Sequence, residues 1–190
     1  MRAGKKPSFL TLFFGGILPV VAFTIVEDNF GIVWGTVAGM IFGIGEITYE
    51  KIFLKKISPL TLSVNALLLL LGSISILLND GIWFKLQPAI IEAGFALFLW
   101  ISFFRKKPLL PQMAKMQGVV LPPQAYSILT GMTFRLGLFF AIHACIATWA
   151  AFKWTTEQWA WLKGAGLTVS FIAYFGLEFL IIKIMNNRRL

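Results

Sequence analysis

A single arginine lies inside one of the most apolar stretches of this 190-residue chain. The stretch, residues 127–149, reads SILTGMTFRLGLFFAIHACIATW and is long enough for a helix to cross a hydrocarbon core of about 30 Å. Arg135 lies eight residues into it, where a guanidinium without a partner costs at least about 2.5 kcal/mol. We therefore expect a partner, and the pair would be either a structural ion pair or part of a polar site for a headgroup, an ion or a proton.

Motifs for catalysis or metal binding do not accompany this arginine. The sequence has no Walker loop, no paired His-Glu metal motif and no nucleophile beside an oriented base. Cys145 is the only cysteine, which excludes an intramolecular disulfide and a multi-cysteine metal site. We therefore expect no catalytic residue, no metal and no cofactor, and a protein that is not an enzyme.

The composition is that of an integral membrane protein. Apolar residues make up 58% of the chain and its mean hydropathy is +0.81, too apolar for a soluble domain. Residues 9–26 lack the small-residue cleavage site of a signal peptide, so we interpret them as a retained span. The predicted fold is an all-α polytopic membrane helix bundle that forms one domain, residues 1–190, with six spans at 9–26, 30–52, 60–78, 86–104, 127–149 and 162–182.

The distribution of basic residues predicts the orientation. If the spans alternate, thirteen Lys and Arg residues fall on the side of both termini and three on the other side. By the positive-inside rule both termini lie in the cytoplasm. A formal charge of +9 would suggest a nucleic-acid partner in a soluble protein. In a membrane protein we expect no nucleic acid, and basic residues that face anionic headgroups on the cytoplasmic side.

Depth in the bilayer predicts which charges meet in an intramembrane charged cluster. Counted from the cytoplasmic side, Arg135 and Glu46 lie about eight residues deep and Glu178 about five, depths that agree within about 5 Å. We expect Glu178 to be the first partner of Arg135 and Glu46 the second. Glu92 lies beyond the midplane and is expected near His143, which we interpret as a hydrogen-bonded packing residue rather than a proton carrier.

Glycines in the second predicted span favour close helix packing. They recur at every fourth position, as Gly31, Gly35, Gly39 and Gly43. A row of small residues lets another helix approach closely. The partner is either another span, which we favour, or a second copy of the chain.

Other short patterns predict interfaces and hydrogen bonds. The segment 82–85, IWFK, has the composition of a membrane interface, and Pro88 is expected to begin the fourth span. Glu50, beside a lysine, is interpreted as a solvated carboxylate, and Thr61 and Asn65 predict an interhelical hydrogen bond. An aromatic belt is expected in the turn that contains Trp149, Trp154, Trp159 and Trp161.

A cytoplasmic interfacial loop is predicted for residues 105–126. Its basic residues Arg105, Lys106 and Lys107 would lie near anionic headgroups. Pro108 stops the preceding helix, and Gly118 is a stop signal further along. Between them we expect a short interfacial helix whose apolar side consists of Leu109, Leu110, Met113 and Met116.

Several short pieces follow one another along the chain in a particular order and spacing. They are Asn79-Asp80, Phe84-Lys85 with Pro88, residues 106–110 with Met113 and Gly118, Leu121-Pro122 and Phe139-Phe140. Their order and spacing resemble the bacterial intracellular septation protein A family of inner-membrane proteins. Tyr126 stands where a tryptophan is typical, so the chain resembles a divergent member. The resemblance implies a multi-pass protein of the bacterial inner membrane with a role in septation and cell-envelope maintenance, through contacts with division and elongation membrane proteins.

Two classes of function remain open. In the first, the protein is a scaffold for membrane partners or for a second copy of itself, and its buried charges only hold the helices in register. In the second, it is a small transporter or lipid-handling protein with an intramembrane charged site around Arg135. Full neutralisation of Arg135 favours the scaffold, whereas a spare positive charge at a cleft favours an anion site.

The predicted topology can be tested by labelling single cysteines after Cys145 has been replaced. We expect cysteines placed near Asp80 and near Glu157 to react with an impermeant maleimide added outside the cytoplasmic membrane, because both positions follow an odd number of predicted spans. Reaction only after the cytoplasmic side is exposed would invert the topology.

Overall fold

The computed structural model describes residues 18–187, apart from the side chains of residues 18–20, 60 and 185–187. Within this range all regular structure is helical, which confirms the predicted all-α fold class. The helices are α1 Leu18–Phe30, α2 Ile32–Tyr49, α3 Pro59–Leu78, α4 Ile82–Phe104, α5 Leu109–Met116, α6 Pro123–Lys153, α7 Thr156–Trp161 and α8 Leu167–Asn187. Two π-helical segments, Glu50–Leu54 and Leu162–Gly166, extend α2 and join α7 to α8.

Five helical segments among the described residues are long and apolar enough to cross a membrane. They correspond to the second to sixth predicted spans, and they confirm a polytopic membrane protein. Of the first predicted span, residues 9–17 lie outside the described residues, and α1 contains the rest. The five segments are Ile32–Leu54, Thr61–Leu78, Ile82–Phe104, Pro123–Lys153 and Thr156–Ile184.

The described chain forms two compact units. The first consists of the residues up to Gln87 together with Ala150–Gly164, and the second of Pro88–Trp149 and the residues from Ala165 onward. The expectation of one domain over residues 1–190 stays a prediction.

Helix α4 begins earlier than predicted, so the expectation that Pro88 starts the fourth span is wrong. The helix starts at Ile82 and Pro88 lies inside it. Two side chains satisfy first-turn amides, which have no acceptor within the helix. Asp80 Oδ1 accepts from the amide of Ile82 at 3.0 Å, and Ser75 Oγ accepts from the amide of Phe84 at 2.9 Å. These two acceptors allow the helix to begin before the proline.

An aromatic core in the first unit corrects two interface predictions. Phe84 is buried, and its ring stacks on that of Phe23 with the centroids 4.4 Å apart. Trp159 is only 1% exposed, its ring lies 5.9 Å from Phe23, and its indole N–H donates to the carbonyl of Lys85 at 3.1 Å. Phe84 and Trp159 are therefore core residues, whereas Trp161 has the exposure expected of an aromatic belt.

The glycine row of α2 meets partners within the same unit, as favoured from the sequence. An added Cβ would lie 2.8 Å from Glu27 Cβ at Gly35, 2.6 Å from Phe84 Cζ at Gly39 and 2.5 Å from Asn65 Oδ1 at Gly43. The row therefore packs against three helices: Gly35 faces α1, Gly39 faces α4 and Gly43 faces α3. Gly31 differs, because a Cβ at this position would meet no neighbour. Its φ of 87° interrupts the helix, so that α1 ends before it and α2 begins after it.

Replacing Gly39 by alanine should destabilise the first unit by about 1–3 kcal/mol, since the new methyl group would overlap the buried Phe84 ring. Gly45→Ala is the matched control, because its Cβ would have no neighbour within 4 Å in the same helix. The free energies of unfolding of both variants can be measured in detergent micelles. Equal stability of the two variants would contradict the packing role of Gly39.

Candidate functional site

Helices α6 and α8 position the buried arginine and its partner. Helix α6 begins at Pro123, a residue suited to the first helical position, and ends at Lys153, whose charge favours a helix C-terminus. Arg135 is twelve residues from its start, or about 18 Å along the axis. Glu178 is eleven residues into the 21-residue α8. Both residues thus lie near the middle of their helices.

Arg135 and Glu178 form a bidentate ion pair. Nε donates to Oε1 and Nη2 donates to Oε2, both at 2.7 Å. The side chain of Glu178 is 3% exposed and that of Arg135 is 31% exposed. Two parallel charge-assisted hydrogen bonds fix the orientation of both groups and neutralise the guanidinium. The first pairing predicted from depth is therefore confirmed.

A second pair lies further along α6. His143 Nδ1 is 2.8 Å from Glu92 Oε2 of α4, and their side chains are 5% and 8% exposed. His143 is eight residues beyond Arg135, or about 12 Å along the helix axis. The predicted neighbourhood of Glu92 and His143 is therefore confirmed. Arg135 and Glu178, and His143 and Glu92, therefore form two separate pairs in the second unit rather than one cluster.

Glu46 and Glu50 of the first unit have polar, uncharged partners. Asn65 Nδ2 donates to Glu46 Oε2 at 2.9 Å, which confirms the predicted interhelical hydrogen bond. Glu50 accepts from the amide of Ser58 and from the hydroxyl of Thr61, each at 2.8 Å, and is buried. The interpretation of Glu50 as a solvated carboxylate is therefore wrong. Because Glu46 and Arg135 belong to different units, Glu46 as a second partner of Arg135 stays a prediction.

A third polar group in the first unit was missed from the sequence. Thr156 Oγ1 donates to Glu27 Oε1 at 2.8 Å and accepts from Lys85 Nζ. Lys85 Nζ lies 3.7 Å from Glu27 Oε1. These residues come from three helix ends that are up to 129 positions apart in the chain. In the sequence, these residues share only a predicted location near the membrane surface opposite the two termini.

The basic turn Arg105–Lys107, which we predict to be cytoplasmic, leads into the predicted short helix. All three basic residues are exposed. Ser102 Oγ accepts from the amide of Leu109 at 3.2 Å, which joins the start of α5 to the end of α4. Pro108 is buried, and Met113 on the predicted apolar side is exposed. The helix is present as predicted, and its location in the membrane interface stays a prediction.

These groups can hold charge and protons in a low-dielectric interior, but they do not form a cation cage. Over the described residues, 18–187, no group of three or more His, Cys, Asp and Glu side chains is placed to hold a metal ion.

Comparison with known proteins identifies the family. The family model described as intracellular septation protein A matches residues 12–188. The chain belongs to the intracellular septation protein A family. Its relatives include inner membrane-spanning protein YciB of Hydrogenovibrio crunogenus, 29% identical over 165 residues, which cover 85% of this chain and 75% of the relative. No solved structure matches the chain significantly.

Two further relatives cover most of both chains. YciB of Shewanella piezotolerans is 28% identical over 151 residues, 80% of this chain and 81% of the relative. YciB of Coxiella burnetii is 25% identical over 174 residues, 90% of this chain and 94% of the relative. The chain is therefore a divergent member of the septation protein A family over nearly its whole length, as the sequence resemblance implied.

Removing one partner of the central ion pair should destabilise the protein more than removing both. We expect Arg135→Ala and Glu178→Ala each to lower the free energy of unfolding by about 3 kcal/mol, because the remaining charge stays in a low-dielectric environment. The double variant Arg135→Met/Glu178→Leu should recover much of the loss. The single variants Arg135→Met and Glu178→Leu complete a double-mutant cycle with this double variant when all unfolding free energies are measured in lipid bicelles. Additive losses in that cycle would rule out the coupling.

Proposed function

We propose that this protein acts in cell division and cell-envelope maintenance as a non-enzymatic scaffold for other proteins of the bacterial inner membrane. The family name supports the link to septation, and the relatives' names support an inner-membrane, membrane-spanning protein. In this proposal both termini lie in the cytoplasm, and the partners are division and elongation membrane proteins or a second copy of the chain.

The observation that carries the proposal is that the carboxylates within the spans already have protein partners. Glu178 is paired with Arg135, Glu92 with His143, and Glu46 with Asn65. A site that transports an ion or an anionic headgroup needs a charge left available for it. The Arg135–Glu178 pair, in which the two charges cancel, instead defines a fixed arrangement of its two helices, as a scaffold requires.

The surface that we propose for contacts is the cytoplasmic basic turn, Arg105–Lys107, together with the exposed side of α5. Each exposed basic residue near an anionic leaflet contributes about 1 kcal/mol of attraction. Met113 and Met116 expose flexible apolar side chains on α5, and methionine adapts to varied partner surfaces. Headgroups and acidic protein segments would both find complementary charge here.

One observation favours the second candidate, a transporter or lipid-handling protein. The Arg135 side chain is 31% exposed although its partner is buried, so part of this side chain is accessible from outside the protein. The double variant Arg135→Met/Glu178→Leu discriminates between the candidates. If it folds and supports normal division, the scaffold is favoured; if it folds and fails, the charges have a role beyond packing.

The scaffold proposal can be tested on the cytoplasmic basic turn. Replacing Arg105, Lys106 and Lys107 by glutamine should leave the unfolding temperature unchanged, because these side chains are exposed. In a strain that lacks the wild-type protein, the variant should fail to restore normal cell length and septum placement. It should also lose photocrosslinks from position 113 to membrane proteins.

A matched control is available in the other cytoplasmic turn. Lys51, Lys55 and Lys56 are also exposed, and their replacement by glutamine removes the same charge without touching α5. We expect this variant to restore cell length and to keep the crosslinks. Full complementation by the Arg105–Lys107 variant would argue against the proposed contact surface.

A further inference from the structure

His143 has one ring nitrogen that the fold leaves without a partner. Nδ1 lies 2.8 Å from Glu92 Oε2. Nε2 is buried, and among the described residues no group forms a hydrogen bond with it. Buried polar atoms in proteins nearly always have a partner, and an exception calls for an explanation such as a transient ligand. A scaffold role gives no reason for this bare nitrogen.

The bare nitrogen determines where the imidazole hydrogen lies. A neutral imidazole carries one N–H, on either Nδ1 or Nε2. On Nε2 that hydrogen would be a buried donor with no acceptor, which is costly. On Nδ1 it is donated to Glu92. The favoured neutral form therefore has Nδ1–H directed at the carboxylate and a free lone pair on Nε2.

Two opposing costs then act on a proton at Nε2. Without it, neutral His143 and ionised Glu92 leave one net negative charge in the interior, which is unfavourable in low dielectric. With it, the imidazolium and the carboxylate form a neutral pair, but the new N–H lacks an acceptor. The first cost favours uptake of the proton and the second favours its release. A proton bound under such opposition can move on and off.

Other ionisable groups near the pair leave its charge balance intact. On α6, Arg135 lies about 12 Å along the axis from His143 and is neutralised by Glu178 of α8. From α8, the neutral Tyr174 ring packs 5.1 Å from the Phe139 ring, which in turn lies 6.0 Å from the His143 ring. On α4 the facing group is Glu92 itself. These neighbouring groups therefore add no net charge beside the pair.

We propose that Glu92 and His143 form a reversible proton-binding site within the membrane, with Nε2 of His143 as the atom that takes up the proton. The proton comes from water, no bond other than N–H forms, and the net charge of the pair changes from −1 to 0. This site goes beyond the proposed scaffold role and does not depend on it. The protein would thereby have two protonation states to which helices α4 and α6 can respond.

The chain's single histidine makes the test unambiguous. The full-length protein is labelled with ¹⁵N-histidine, reconstituted in phosphatidylethanolamine and phosphatidylglycerol vesicles, and observed by solid-state NMR. We expect the Nδ1 signal to stay protonated, and the Nε2 signal to change from unprotonated to protonated as the pH of the vesicle suspension is lowered from alkaline to acidic. An Nε2 signal that keeps one protonation state over this range would overturn the proposal without any substitution.

Variants test the role of the carboxylate. In Glu92→Gln an amide oxygen can still accept from Nδ1–H, but the negative charge is gone, so protonation of Nε2 no longer yields a neutral pair and the protonated Nε2 signal should be lost. Glu46→Gln, which neutralises a carboxylate partnered by Asn65, is the control and should keep this signal. A Glu92→Gln protein with the same Nε2 signal as the wild-type protein would overturn the proposal.

Discussion

Hydrocarbon offers no hydrogen bonds, so each polar group that enters it must find its partner in the protein. This constraint explains the arrangement of α6 and α8 in the second unit. Arg135 and Glu178 meet through two hydrogen bonds of 2.7 Å, and that geometry fixes the rotation of both helices about their axes. The ion pair thus determines the register of the two helices. Apolar contacts, as between Phe139 and Phe171 with ring centroids 4.8 Å apart, fill the space between them.

Buried carboxylates meet this constraint with two kinds of partner. In the first unit, Glu46 accepts a hydrogen bond from Asn65, and Glu50 accepts from Ser58 and Thr61, all neutral donors, whereas Glu27 faces Lys85. In the second unit, each carboxylate faces a basic side chain. Neutral donors hold a carboxylate in place but leave its charge uncompensated, whereas a positively charged partner cancels it. Arg135 cancels the charge of Glu178 in this way, and His143 cancels that of Glu92 only when its ring carries a second proton.

Length, polarity and depth in the bilayer were readable from the sequence, because each depends on one segment at a time. The second to sixth spans and the partner of Arg135 followed from these properties. The features that were not predicted depend on contacts between side chains that are distant in the sequence. Pro88 lies within α4 because Asp80 and Ser75 cap amides ahead of it. Trp159 is buried because Phe23 and Phe84 provide a pocket for it, although its sequence neighbours resemble an interface.

The length of α6 has a consequence for the surrounding lipid. Its 31 residues extend about 46 Å, whereas a hydrocarbon core is about 30 Å thick. Tilting alone would need an angle of about 50°, beyond the range of about 0–40° found for membrane helices. The helix must therefore extend into the headgroup layers or thicken the bilayer around it. A bilayer of changed thickness would therefore change how far the ends of this helix, which contains both Arg135 and His143, extend into the headgroup layers.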